Sequence, residues 1–428
     1  MAWLRNTFRR RAVRVAAHSA ASASASIPDC NMATAQASLA ASAAAADLTA
    51  GLDFIFDRLA YQGDKISDEI QYHLEQLCEH AERYLDSSIH DNIGEQWSCS
   101  PGTSELIRAA CQCAVMVYDQ TQEIGVKGFD VEPVLHRSPS FMGNVKACSM
   151  WKIPFTPIPG WRGKTLVISI RGTATAFDHM VNMNGKAMDA SNLFQINSKG
   201  QPFNVQAHAG FLACAQDMAP IITEDIKYQL LADKEIYNLV FTGHSAGGAV
   251  ASLLFLHHLF HQSPTQRMNC KLSLITFGSP PVLSRGLTDI CKENDGVGLL
   301  LSIVNEYDMI SRADGPYLRS LIDLYRSRYG LPSVSGSATT RGHSAWPLPL
   351  PVFQPLGDII ILKLHLVDIP SFRKRDSSSQ ASTLMAPTLK AVKVSPEEFA
   401  RLLFCDISTH RRRSYMERVD MLVAELGM

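Results

Sequence analysis

The stretch from Ile236 to His261, IYNLVFTGHSAGGAVASLLFLHHLFH, constrains this chain more than any other. An apolar run, Leu239 to Phe241, enters Gly243-His244-Ser245-Ala246-Gly247, and a long Ala- and Leu-rich segment of helical composition follows. The pattern reads as strand, elbow, helix. Gly243 and Gly247 keep Cβ atoms out of a tight turn, and the turn pushes Ser245 outward at the end of a strand. The helix that follows points its free N–H groups and the positive end of its dipole at the charge that develops when a serine attacks a carbonyl. G-x-S-x-G alone recurs by chance, so the weight lies in the flanking strand and helix.

A chain of 428 residues holds one large or two ordinary domains and a sizeable core. Its formal net charge of -1 gives no basis for a nucleic-acid footprint, which needs a clustered basic face. The ten cysteines are scattered, with Cys111 and Cys113 the only close pair and no zinc or disulfide spacing. A reducing, intracellular compartment fits that usage. No apolar run reaches the roughly 18 to 20 residues that span a bilayer, so any contact with a membrane or lipid-droplet surface is expected to be peripheral.

Residues 1–46 read as a targeting or disordered extension. Arg5, Arg9, Arg10, Arg11 and Arg14 occur without an acidic residue before a Ser/Ala-rich run, a composition shared by mitochondrial transit peptides and unstructured tails. The arginines occupy the place of an apolar h-region, which argues against a secretory signal. Residues 47–130 carry helical stripes, among them Ile66, Ile70, Leu74, Leu77 and Ala81, then a helix expected over Ser104 to Tyr118. This region is expected to pack as helices on a catalytic domain spanning 131–428.

Within that domain short apolar strands alternate with helices: Lys164 to Ile170, Leu272 to Phe277, Leu299 to Asn305 and Asp358 to Val367. That alternation indicates a mostly parallel α/β sheet flanked by helices. Val131 to Trp161 reads as edge-hairpin core or a lipid-contacting loop, and Met180 to Phe194 as a mobile flap or an ordinary insertion. Two further insertions are expected, at about 315–356 and 372–391, the second a polar, flexible excursion. The first contains Pro316 to Tyr329, where Leu318, Leu321, Ile322 and Tyr325 form a stripe beside Arg319, Arg326 and Arg328. Such a helix either packs its stripe on the domain or faces lipid and caps a site, and its start just after the Asp308 loop, at the catalytic edge of the sheet, makes the cap the expectation. Ser395 to Glu398 is a capping box expected to start a helix running to about Cys405.

A serine hydroxyl needs a histidine base, and the base needs a carboxylate to fix its tautomer. Asp308, just past the Leu299 to Asn305 strand, is the favoured acid, with Asp314 as rival. His343, His365 and His410 are candidate bases, and His410, in a loop after the last strand, is favoured. Thr173, in Arg171-Gly172-Thr173 at a strand's C-terminal end, offers an N–H and a hydroxyl to an oxyanion. His208 reads as a structural hydrogen-bonding residue.

Together these residues resemble the class 3 lipase family, the fungal-lipase-like α/β-hydrolases that include diacylglycerol lipases. The resemblance rests on Ile170-Arg-Gly-Thr173, His208-Ala-Gly-Phe211, Thr242-Gly-His-Ser-Ala-Gly247, Thr276-Phe-Gly-Ser-Pro280, Val304-Asn-Glu-Tyr-Asp308 with Ser311-Arg312, and Asp406, His410 and Tyr415. It implies an α/β-hydrolase fold with Ser245 as nucleophile, Asp308 as acid and His410 as base. Thr173 and the Ala246 N–H would form the oxyanion hole, beside elbow residues Gly243, His244 and Gly247. The implied substrate is a di- or triacylglycerol, with phospholipids or soluble esters as alternatives, and no metal or cofactor is implied. A non-catalytic lipid-binding protein on the same fold is the alternative of another class. The chain departs from the diacylglycerol lipase pattern in placing Asp406 four positions before His410 rather than directly before it.

Overall fold

The structure, a computed structural model, describes residues 68–118, 131–139, 145–154, 163–172, 185–194, 205–261, 270–333, 344–369 and 384–426. All of these fall within one unit, Ala44–Met428, whereas the unit Met1–Ala43 and the expected extension over 1–46 lie outside the described residues.

Nine strands form one sheet: β1 (Glu95–Gln96), β2 (Glu132–Arg137), β3 (Cys148–Ile153), β4 (Lys164–Ile170) and, after a two-stranded ribbon of β5 (Ala187–Asp189) and β6 (Gln206–His208), β7 (Ile236–His244), β8 (Lys271–Phe277), β9 (Val297–Asn305), β10 (Asp358–Ile369) and β11 (Leu384–Val394). Their spatial order is β1-β11-β10-β9-β8-β7-β4-β3-β2. The centre, β4-β7-β8-β9-β10, is parallel, and antiparallel strands border it on both sides. This is the α/β-hydrolase architecture. The central strands read as continuous apolar runs because both faces are covered.

The period of two along each strand sorts the core into two layers. Leu166, Ile168 and Ile170 of β4 and Leu239 and Phe241 of β7 face one layer. That layer is closed by helices Ala209–Ala232 and Ala246–His261. Val167, Val240, Ile275 and Ile303 face the other, closed by Pro101–Met116 and Arg412–Leu426. In chain order the helices used below are α1 (Asp68–Ala81), α2 (Pro101–Met116), α3 (Ala209–Ala232), α4 (Ala246–His261), α5 (Gly315–Arg328), α6 (Pro396–Ala400) and α7 (Arg412–Leu426).

Helix α2 begins before Ser104, the first residue the apolar pattern suggested, because Ser100 caps it by accepting the Thr103 N–H and proline occupies its first position. It lies close to the sheet: Ser169 Oγ donates to the Cys113 carbonyl at 2.8 Å. Ala109, Ala110, Cys113 and Ala114 are fully buried there, small residues that let the helix approach.

Four expectations are corrected. The excursion expected over 372–391 gives way at Leu384 to β11, which pairs antiparallel with β10 along its whole length. Leu389, Ala391, Val392 and Val394 are buried, and Pro387 is tolerated because β1 pairs β11 only at Val392 and Lys393. The helix after the capping box stops at Ala400, since Leu402, Leu403, Phe404 and Cys405 are buried in succession and no helix face could bury all four. Leu193 and Phe194, assigned to a flap or insertion, are core residues; residues 180–184 of that segment lie outside the described residues.

The fourth correction concerns α5. Tyr317, Leu321, Leu324 and Tyr325 are buried against Leu74, Leu77 and Ala81 of α1 and against Trp346, so the stripe is packing and not a lipid-facing surface. Asp314 caps the helix by accepting the Tyr317 N–H, Arg328 contacts Gln76 and Glu79, and Trp346 Nε1 donates to Ser320 Oγ at 2.8 Å. Leucines that meet a second helix gain more from burial than from any surface role.

Buried histidines make the fold acid-sensitive. His80 of α1 is held down to about 4 by burial and by Arg83 and Arg328, and His258 of α4 to about 4 by burial and by His257 and His261. Below the unfolded value near 6.5 the unfolded chain binds a proton that the folded residue refuses until about pH 4. Stability should therefore fall as pH falls across that window, by on the order of 2 kcal/mol per site. Thermal midpoints measured from pH 7 to 4 should drop less in His80→Gln than in the wild type. Identical pH dependence in the two would show that His80 does not set it.

Candidate active site

The end of β7 carries the elbow. Ser245 has φ 59°, a left-handed conformation that costs a non-glycine residue about 1–2 kcal/mol. Its N–H donates to the Phe277 carbonyl at 2.9 Å, and α4 opens at Ala246. The turn fits only because its glycines lack side chains. A Cβ on Gly243 would run into the Gly247 backbone, and one on Gly247 into the Ile170 carbonyl and the Gly172 nitrogen. Backbone cannot yield as a flexible side chain would. Gly247→Ala should therefore cost about 3 kcal/mol, seen as a lower thermal midpoint with lost reactivity of Ser245; an unchanged midpoint would mean that β4 moves aside.

Ser245, His410 and Asp308 form one hydrogen-bonded line. His410 Nε2 lies 2.9 Å from Ser245 Oγ, and His410 Nδ1 lies 2.9 Å from Asp308 Oδ2. An ionised carboxylate only accepts, so Nδ1 carries the hydrogen and donates to Asp308, leaving Nε2 to accept the serine proton. Both partners are deeply buried, His410 at 2% and Asp308 at 0% side-chain exposure. Asp308 follows β9 through Tyr307, whose positive φ of 77° turns the chain. Its Oδ1 accepts the Ile310 N–H at 2.9 Å, and its Oδ2 accepts the Tyr415 hydroxyl at 2.6 Å as well as His410.

His410 is held by a scaffold that spacing does not reveal. Asp406 caps the 3-10 turn Ile407–His410 by accepting the Ser408 N–H and hydroxyl. Its place four residues before the histidine follows from that turn. Asn305 Nδ2 donates to the Thr409 carbonyl at 2.8 Å, and His244 Nε2 donates to the His410 carbonyl at 2.8 Å with the two rings 4.6 Å apart. Burial, with the neighbouring His410 and Arg412, depresses the basicity of His244 well below the ordinary range, so it is a neutral donor. Burial and the Asp308 charge raise Tyr415 well above its ordinary value, so its hydroxyl keeps the proton it donates. Tyr118, just beyond α2, places its hydroxyl 3.5 Å from the His244 carbonyl and beside Gly172, with Arg412 over its ring. The parts played by His244 and Tyr118 were not assigned from sequence; only the packing of α2 and α7 brings them here.

The rivals lie elsewhere. Asp314 is spent on α5 and on the Val352 N–H, which donates to its Oδ2 at 2.6 Å. His365 lies within β10, paired with Thr388 of β11, where burial and Lys363 lower its basicity. His343 lies outside the described residues, as does Thr173, which follows the described Gly172. Ala246 is the first residue of α4, so its N–H has no intrahelical acceptor. His208 stacks on Phe211 at the start of α3.

Residues 167–317 match the family Lipase (class 3). No curated protein matches it. Among solved structures it is similar to a lipase from Rhizopus microsporus var. chinensis, at 18% identity and a TM-score of 0.38, over 53% of this chain and 73% of that one. A Rhizomucor miehei lipase in complex with its propeptide matches at 15% identity and a TM-score of 0.39, over 55% and 75%. A triacylglycerol lipase from Penicillium expansum matches at 14% identity and a TM-score of 0.39, over 68% and 85%. The matched segment contains Ser245 and Asp308, whereas His410, Tyr415 and Tyr118 reach the site from outside it. Among the described residues no helix is long and apolar enough to cross a membrane, and no cluster of three or more His, Cys, Asp or Glu could hold a metal ion.

Proposed function

We propose that this chain hydrolyses carboxylic esters of acylglycerols, diacylglycerols foremost, at a peripheral lipid surface through an acyl-serine intermediate. One observation carries the chemistry: the line from Ser245 Oγ through both nitrogens of His410 to the buried Asp308 carboxylate. In this reading His410 Nε2 takes the serine proton as Oγ attacks the ester carbonyl, then returns it to the leaving alkoxide. Water repeats the cycle on the acyl-serine and releases the acid. Asp308 holds the Nδ1–H tautomer and stabilises the imidazolium, while Tyr415 and the Ile310 N–H hold Asp308. The oxyanion would be met by the Ala246 N–H at the positive end of α4 and by Thr173.

The lipid class is supported by the match of residues 167–317 to the class 3 lipases and by the resemblance of the sequence motifs to those of diacylglycerol lipases. Purified protein should hydrolyse emulsified diacylglycerol at least tenfold faster than phospholipid or a short soluble ester, with Ser245→Ala as control. Preference for phospholipid would make it a phospholipase A1, and preference for the short ester a soluble carboxylesterase.

A further inference from the structure

A cavity of about 660 Å³ opens between α3 and α4 at the end of the sheet remote from Ser245. Its lining includes Ile236 at the start of β7, whereas Ser245 follows the end of that strand. Nine residues of strand, about 30 Å, separate the two. The floor is apolar: Ile226, Ile236 and Cys270 are buried and Leu230 half-buried. Burial pushes the Cys270 thiol up to about 12, so it contributes no charge.

The rim has the opposite character. Lys227, Lys234, His257 and His261 line it, and no carboxylate is among the lining residues. His257 Nδ1 donates to the Leu193 carbonyl and His261 Nδ1 to the His257 carbonyl, and burial with His261 beside it lowers the basicity of His257, so the positive charge of the rim rests on the two lysines. Lys234 donates to the Leu230 carbonyl at 3.2 Å, and Lys227 sits in an exposed pair with Glu224, an interaction that solvent screens. An apolar floor under a cationic rim matches an amphiphile with an anionic head, and the volume lies within the roughly 300–1,000 Å³ of small-ligand sites.

We propose that this crevice binds a long-chain fatty acid, acyl chain on the Ile226, Ile236 and Cys270 floor and carboxylate at Lys227 and Lys234, as a second site distinct from Ser245. The choice of a fatty acid among anionic amphiphiles rests on the proposed ester hydrolysis, which releases one. The cavity itself does not depend on that reading.

The test uses full-length protein whose Ser245 has first been capped with an alkyl fluorophosphonate, so that acyl binding near the elbow is blocked. Titration calorimetry with oleate should find one site per chain. Its affinity should fall about tenfold or more in Lys227→Glu/Lys234→Glu, whose exposed positions spare the fold, and again in Thr223→Trp, which fills the opening. Oleyl alcohol should bind at least tenfold more weakly than oleate, and inorganic phosphate should not compete. The inference is overturned if capped protein binds no oleate, if both variants bind it as the wild type does, or if phosphate binds as tightly as oleate. Capping is scored separately by mass spectrometry. An unreactive Ser245 would count against the proposed function, and the lysine and threonine variants would then decide the cavity alone.

Discussion

Ser245→Ala should lose fluorophosphonate labelling entirely and lower kcat for ester hydrolysis by about 10⁴-fold or more, with its fold retained. The retention of fold follows from the geometry: the Ser245 N–H to Phe277 bond and the glycine contacts of the elbow do not involve the hydroxyl. Only Oγ is lost, the atom 2.9 Å from His410 Nε2. Circular dichroism and the thermal midpoint should match the wild type within a few degrees. Labelling that survives the substitution would place the nucleophile elsewhere and end the proposed mechanism.

The second large effect is expected at His410. Its ring joins Ser245 to Asp308, and groups that act as a unit fail together, so His410→Ala should lower kcat by about as much as Ser245→Ala, and the double variant by little more. His365→Ala should lose less than about threefold in kcat, because its strand position pairs it with Thr388 and not with the elbow. A His365→Ala protein as inactive as His410→Ala would contradict this geometry. Stability should fall as well. Removing a 2% exposed imidazole leaves the buried Asp308 carboxylate short of one donor, and the remaining Tyr415 and Ile310 donors should keep that loss to about 1–3 kcal/mol.

The local parts of the candidate site were legible because each has a local cause. A serine between Gly243 and Gly247, behind an apolar run and ahead of an Ala-rich one, reports a strand–turn–helix at any place in any sheet. Asp308 was legible for the same reason, since it stands just past a strand of continuous apolar residues. His410 was favoured from its place after the last strand, but its support was not readable. The His244 contact with its carbonyl spans 166 residues of sequence, the Asn305 contact with its turn spans 104, and the Tyr415 contact with Asp308 spans 107. No spacing rule connects residues that far apart.

The misread segments share a physical origin. The stripe of α5 was correctly periodic, but periodicity states that one helix face is apolar and not what covers it. Helix α1 covers it, so Leu321 is core and not a lipid contact. Leu384–Val394 was hidden by the polar residues that precede it and by Pro387, and a strand is recognised only once β10 lies beside it to take up its hydrogen bonds. What the sequence by itself determined is set within a few residues of chain: the elbow, the parallel apolar strands, the capping box at Ser395. Tertiary structure decided the rest, because covering a face, orienting the His410 turn and bringing Tyr118 to Gly172 depend on segments whose mutual approach only the folded sheet enforces.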